Sequence, residues 1–156
     1  MLATAAPDGK ALASAQPTTR HVAVLKGSAG EVSIDVLALT HEIISPRDPA
    51  SGLPTGKRLH KPFTLTKPVD KSSPLLFEGL VKGEPFQLEV TTLRRTGARW
   101  TPVVTVRLDN AFVAAINPRS AVDRPTEEIS FYYGKITYSY AETGTTVEDI
   151  WGGEYP

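Results

Sequence analysis

Apolar and polar residues alternate along several separate segments of this chain, and this alternation constrains the fold more than any other feature. A period of two residues places the apolar side chains of a strand on one face. Such segments, with turn residues between them, are typical of an antiparallel barrel or sandwich. The chain is therefore predicted to be mainly β. The longest of these segments are VSIDVLALT from residue 32, PFTLTK from 62, FQLEVTTLRR from 86, VVTVRLDNAFVAAI from 103 and EEISFYYGKITYSY from 127.

One segment has the signals of a helix instead. Ser72 and Ser73 offer hydroxyl groups for the N-cap, and Pro74 suits the first turn because its missing N–H has no partner there. Gly83 supplies a left-handed stop. These signals predict one short α-helix over about 73–82, which must pack on a sheet because it is too short to be stable alone. Its predicted apolar stripe comprises Leu76, Phe77, Leu80 and Val81.

Two further features mark where regular structure changes. Apolar residues occupy odd positions before Gly134 and even positions after it, which predicts a β-bulge at this glycine. Residues 45–58, SPRDPASGLPTGKR, contain three prolines and two glycines, so they are predicted to form a long loop. Long ordered loops in compact domains are usually functional.

The length of 156 residues fits one domain, predicted over residues 21–156. Residues 1–20 are predicted to be a divergent N-terminal arm or a weak first strand. They lack the basic and uninterrupted apolar parts of a secretory signal, since Pro7, Asp8 and Lys10 lie where the apolar part belongs. We therefore expect no Sec signal peptide, and no apolar run approaches the ~20 residues that span a bilayer.

The charge and the cysteine content exclude several classes of function. Seventeen basic residues balance seventeen acidic ones, and no basic block occurs, so no binding to nucleic acid or insertion into membranes is expected. The chain has no cysteine, which excludes disulfides and thiol chemistry.

No recognisable catalytic constellation is present, so the chain is predicted not to be an enzyme and to need no cofactor or metal. Its histidines His21, His41 and His60 have no second histidine at metal-ligand spacing. The segment 52–58, GLPTGKR, is one residue short of a phosphate-binding loop, and no helix follows it. Glu127 and Glu128 are adjacent in a strand and point to opposite faces, unlike a glycosidase pair.

Residues 58–84, RLHKPFTLTKPVDKSSPLLFEGLVKGE, resemble the centre of the haemolysin-coregulated protein (Hcp) family of bacterial type VI secretion systems. The resemblance continues upstream in residues 34–43 and downstream in residues 93–97 and 127–140. Gly144, Asp149 and Trp151 then resemble the family's closing tail. Two departures are that residues 2–16 are Ala-rich and that Tyr138 stands where the family often has Trp.

The resemblance implies a β-barrel-like subunit that closes into a hexameric ring. Rings would stack into an inner tube that a contractile sheath propels, with a spike protein and baseplate as further partners and small effector proteins in the lumen. The protein would be cytoplasmic during assembly and then secreted or delivered into a target cell. We predict that the charged residues of the proline-rich loop and its end contact a neighbouring subunit or ring. These residues are Arg47, Asp48, Lys57 and Arg58.

Three alternatives remain open at the level of sequence. A tail-tube protein of another contractile injection particle would have a similar fold. A monomeric barrel that binds a small ligand would have a closed apolar cavity. An enzyme would need a convergent polar pocket.

The loop of residues 45–58 has an alternative of its own, which is a plain solvent-exposed loop without a role in assembly.

Overall fold

The computed structural model describes residues 18–120 and 123–151, with the side chain of Ser120 left out. Within these residues the chain forms eleven strands and one helix, and the prediction of a mainly β fold is confirmed. The elements are β1 Thr19–Gly27, β2 Gly30–Val36, β3 Ala38–Thr40, β4 Ile43–Ile44, β5 Leu59–His60, β6 Phe63–Pro68, α1 Ser73–Lys82, β7 Phe86–Thr96, β8 Arg99–Ser120, β9 Pro125–Tyr132, β10 Lys135–Tyr140 and β11 Thr145–Ile150.

The strands form two layers that share one long strand. The order is β2-β1-β7-β8-β9-β6-β3, and every pairing is antiparallel. The first half of β8 also pairs with β10, and β10 pairs with β11, so one layer is β2-β1-β7-β8-β10-β11. The second half of β8 begins the other layer, β8-β9-β6-β3. The result resembles a β-sandwich, with β4 and β5 as a separate two-stranded ribbon.

The layers bend apart where β8 passes Asn110, which adopts the left-handed φ of 51°. The backbone N–H of Gly134 donates to the carbonyls of Asp109 and Asn110 at this bend. The predicted β-bulge at Gly134 is instead a break between β9 and β10, which pair with different halves of β8. The parity of apolar positions changes there because the chain moves from one layer to the other.

Apolar side chains from both layers meet between them and form one core. Leu88 of β7, Leu108 of β8 and Ile129 of β9 are fully buried within it. The alternation in the sequence produces this core directly, since β6 and β9 bury every second residue. Such burial contributes about 1.5–3 kcal/mol for each large apolar side chain.

Helix α1 has the predicted bounds and ends at Gly83, whose φ is 66°. Ser72 occupies the N-cap position, but its side chain makes no cap bond and its Oγ donates to Asp70 instead. The predicted apolar stripe is only half right. Leu76 is fully buried and Leu80 packs against the core, whereas Phe77 and Val81 are 60% and 67% exposed. Leu75, which the predicted stripe left out, also packs against the core, and Gly79 is buried. The buried face is therefore turned toward Leu75 and away from Phe77 and Val81.

The predicted N-terminal arm falls mostly on residues 1–17, which lie outside the described residues. Thr19 and Arg20 already belong to β1 and pair with Arg94 and Leu93. The domain boundary at residue 21 stays a prediction. Among the described residues, no helix is both long and apolar enough to cross a bilayer.

Candidate functional site

The loop between β4 and β5 has an internal structure of its own. Arg47 and Pro54 form an isolated antiparallel bridge, and the backbone N–H of Asp48 donates to the carbonyl of Leu53 at 2.9 Å. The Arg47 guanidinium donates to the carbonyl of Gly52 at 3.1 Å. Leu53 remains 64% exposed near the tip. Residues Arg47 and Asp48 therefore brace the loop rather than the body of the fold.

Arg58 belongs to a different contact from the other loop residues that the sequence singled out. Its guanidinium donates two hydrogen bonds to Asp149 of β11, at 2.8 and 2.5 Å. Asp149 also lies 3.0 Å from the Nε2 atom of His60. Hydrogen bonding from Arg58 holds the pKa of Asp149 below its ordinary value. This bidentate pair fixes the end of the loop against the sheet.

The sequence indicates no special role for the histidines, but His41 and His60 lie in one aromatic cluster around Tyr133. The His60 ring stacks on Trp151 with centroids 5.4 Å apart, and Tyr133 meets Trp151 edge-on at 4.8 Å. The Tyr133 hydroxyl contacts Nε2 of His41 at 2.9 Å. Burial, and then the charge of His60, lowers the pKa of His41. Burial and the charge of Asp149 raise the pKa of Tyr133.

A cavity of about 560 Å³ opens between the two layers beside this cluster. One wall comes from β3, β4 and β6, and the other from β7, β8, β10 and β11. Most of its lining is apolar, and Tyr138 and Val147 are 57% and 67% exposed at its mouth. The whole lining comprises Leu39, His41, Ile43, Phe63, Val90, Thr92, Val104, Val106, Ile136, Tyr138, Val147, Glu148 and Asp149.

A buried ionic cluster lies at the start of α1. The Lys67 ammonium is fully buried, 2.6 Å from Glu127 and 2.9 Å from Asp70. Ser73 donates a hydrogen bond to Glu127. Burial raises the pKa of Asp70, but hydrogen bonds from Ser72 and Lys67 outweigh this and keep it below the ordinary value. Lysine and both carboxylates are paired, so the cluster has the form of a structural support.

The two acidic residues of β9 have different environments, as predicted from their adjacent positions. Glu127 is buried against Lys67, whereas the Glu128 side chain is 33% exposed. The described residues contain no group of three or more His, Cys, Asp or Glu side chains arranged to hold a metal ion.

Within residues 18–120 and 123–151, the six-stranded layer ends in two strands that each pair with one other strand. Strand β2 pairs with β1, and β11 pairs with β10. The outer edge of such a strand carries backbone N–H and C=O groups that can pair with another chain. Directly after β2, the backbone N–H of Leu37 donates to the carbonyl of Thr66 on β6.

Comparison with known proteins gives one consistent result. Residues 26–140 match the family model described as "Type VI secretion system effector, Hcp". The "Major exported protein" of Pseudomonas aeruginosa is 37% identical, with 78% of this chain and 76% of that protein covered.

Solved structures agree with this match. The Hcp1 protein of E. coli EAEC 042, solved as a mutant, superposes with a TM-score of 0.77 at 28% identity. The secreted protein Hcp3 of Pseudomonas aeruginosa superposes with a TM-score of 0.72 at 26% identity. Each comparison covers 85% of this chain and 98% of the solved chain.

Proposed function

The chain belongs to the Hcp family of type VI secretion proteins, and from this membership we propose that it is a subunit of the inner tube of such a system. The family match confirms the type VI assignment made from sequence. In the proposal, six copies close into a ring and rings stack into a tube. A contractile sheath, a spike protein and a baseplate are the partners of this tube, and small effector proteins travel in its lumen.

The observation that supports ring formation best is the placement of the two one-sided strands. Strands β2 and β11 stand at opposite ends of the same layer. The β11 edge of one copy can therefore pair with the β2 edge of the next, which is a head-to-tail contact. Repeated head-to-tail contacts close into a ring when the rotation between copies allows it.

The loop of residues 45–58 supports contact between rings. Its backbone hydrogen bonds and the bidentate Arg58–Asp149 pair hold it in one shape. A loop that is already ordered loses little conformational entropy when it binds. We propose that Arg47, Asp48 and Lys57 meet an adjacent subunit or ring, while Arg58 positions the loop from its base.

The family membership favours a structural role over a catalytic one. The relative from Pseudomonas aeruginosa is named as an exported protein. We propose the same fate for this chain, which would be assembled in the cytoplasm and would leave the cell through the contractile machine instead of through a Sec signal.

Head-to-tail pairing can be tested by crosslinking, because the natural chain has no cysteine. The double variant Ser33→Cys and Thr146→Cys places one thiol on β2 and one on β11. A short bis-maleimide reagent is expected to give a ladder of products that ends at six chains. The matched control is Ser33→Cys with Lys71→Cys. Its crosslinked products should be no larger than the dimers that each single variant gives. Equal products from both double variants would contradict the pairing.

The loop contact has a separate test. Replacing Arg47, Asp48 and Lys57 together by Ala should leave rings intact in negative-stain images and shorten their stacks. Replacing Lys71, Glu78 and Arg99, which are exposed and carry the same charges, is the matched control. Stacks of unchanged length in the loop variant would remove the proposed role.

A further inference from the structure

The cavity between the layers has a size and a position typical of ligand sites. Its volume of about 560 Å³ lies within the roughly 300–1,000 Å³ common for small-molecule pockets, which often occupy the mouths of β-barrels. Packed protein interiors contain few voids larger than a water molecule. This space is open to solvent beside Tyr138 and Val147, so it is a recess that a molecule can enter and not a void of core packing.

The ionised groups of the cavity wall already have partners of opposite charge. Asp149 receives two hydrogen bonds from Arg58, and Glu148 lies 3.6 Å from the Lys135 ammonium. The lowered pKa of His41 favours its neutral form. A charged ligand would lose its hydration here, and the charged groups of the wall are already paired with one another. Binding of a charged ligand is therefore unfavourable.

The remaining lining defines what the cavity can accommodate. Nine of its thirteen residues are apolar, and Val90, Val104 and Val106 form a continuous wall on β7 and β8. His41 and Thr92 supply polar side chains, and the Thr92 hydroxyl contacts Nδ1 of His21 at 2.8 Å. We propose that the cavity binds a small, uncharged and mainly apolar molecule that carries one hydrogen-bonding group. The tube subunit would then carry a second kind of cargo, distinct from proteins in the lumen.

The proposal can be tested with N-phenyl-1-naphthylamine, an uncharged apolar probe, measured by equilibrium dialysis against the full chain. We expect saturable binding of one probe per chain. The variant Val147→Trp fills the mouth of the cavity and should weaken binding by about tenfold or more. Val81→Trp is the matched control, because Val81 on α1 and Val147 are both 67% exposed. It should leave binding unchanged, and circular dichroism verifies that both variants fold.

The charge requirement has its own control. The sulfonated analogue 8-anilino-1-naphthalenesulfonate has similar rings and a negative charge, and it should bind at least about tenfold more weakly. Equal affinity for the two probes would overturn the assignment of an uncharged ligand. Absence of saturable binding, or equal loss in both Trp variants, would overturn the site itself.

Two other occupants give different results, and either would overturn the proposal. If a second copy covers the cavity, the probe will bind dissociated chains and leave on assembly, as light scattering of the same samples would show. If the chain's own N-terminus fills it, the probe will bind only after removal of residues 1–17. Probe binding is measured on dissociated chains as well as on assembled ones, so failure of this proposal and failure of the tube proposal are distinguishable.

Discussion

The two ends of the molecule differ in how they treat apolar side chains. At the end that α1 covers, called here the helix end, Gly27 and Gly79 lie so close to Phe86 that neither has room for a Cβ atom. At the opposite end, called here the cavity end, Tyr138 and Val147 stand exposed around an open space. The same strands β7 and β8 pass through both ends. The fold therefore combines close packing at one end with an open space at the other.

The charged groups follow the same division. Lys67 at the helix end is fully buried between two carboxylates, whereas Asp149 near the cavity end keeps 28% of its side chain exposed. A buried charge that loses its partner costs far more than one that water can reach. Substitutions should therefore change stability mainly at the helix end.

The largest expected effect comes from Lys67→Met. It leaves Glu127 buried without its cation, and we expect the free energy of unfolding in urea to fall by about 3–5 kcal/mol. Adding Glu127→Leu should restore much of the loss. The control Lys82→Met removes a cation that is 57% exposed beside Glu78. It should change the free energy of unfolding by less than about 1 kcal/mol. Similar losses in both single variants would break the contrast between buried and exposed pairs.

Truncating one apolar side chain in the core and one at the cavity mouth compares closed with open packing directly. Leu88 is fully buried in the core, so Leu88→Ala should lower the free energy of unfolding by about 2–5 kcal/mol. Val147→Ala at the cavity mouth should change it by no more than about 0.5 kcal/mol. A loss above about 1 kcal/mol for Val147→Ala would show that the cavity end also carries stability.

Adding one methyl group at the helix end should also destabilise the fold. The Cβ atom of Gly79→Ala would lie within 2.6 Å of Phe86 Cζ, and such overpacking costs about 1–3 kcal/mol. Thermal unfolding should show a lower Tm. Combining Gly79→Ala with Phe86→Leu should recover part of the lost Tm. If the double variant loses as much Tm as the two single variants together, the contact between the two residues is contradicted.

The smallest expected effect is a pH dependence at the cavity end. Burial lowers the pKa of folded His41 below the ordinary value of 6.5, so the unfolded chain takes up the proton first. The free energy of unfolding should therefore be highest above pH 6.5 and should decrease as the pH falls below 6.5. The variant His41→Gln should make the unfolding free energy depend less steeply on pH between pH 7 and 5. Some dependence should remain, because burial lowers the pKa of His21 as well. An unchanged slope would assign the dependence to other groups.

Local signals in the sequence predicted local structure well. The bounds of α1 follow from Ser72, Pro74 and Gly83, which act within one or two turns. The sequence does not show that Phe77 and Val81 are exposed and that Leu75 packs inward, because it gives the period of a helix but not which side faces the sheet.

Contacts between distant residues were the part that sequence could not supply. Arg58 and Asp149 are 91 residues apart, and only the folded layers bring them together. The change of parity at Gly134 was visible, but its cause was not, because a bulge and a move between layers produce the same pattern. The cavity likewise depends on how far apart the layers stand.

The central claim is that copies of this chain assemble into six-membered rings, and the mass in solution tests it most directly. Size-exclusion chromatography with light scattering should give about 101 kDa, six times the 16.8 kDa of one chain, with ring-shaped particles in negative-stain images of the same fraction. A single species of 16.8 kDa at every concentration, without rings, would contradict the claim and favour the monomeric ligand-binding barrel.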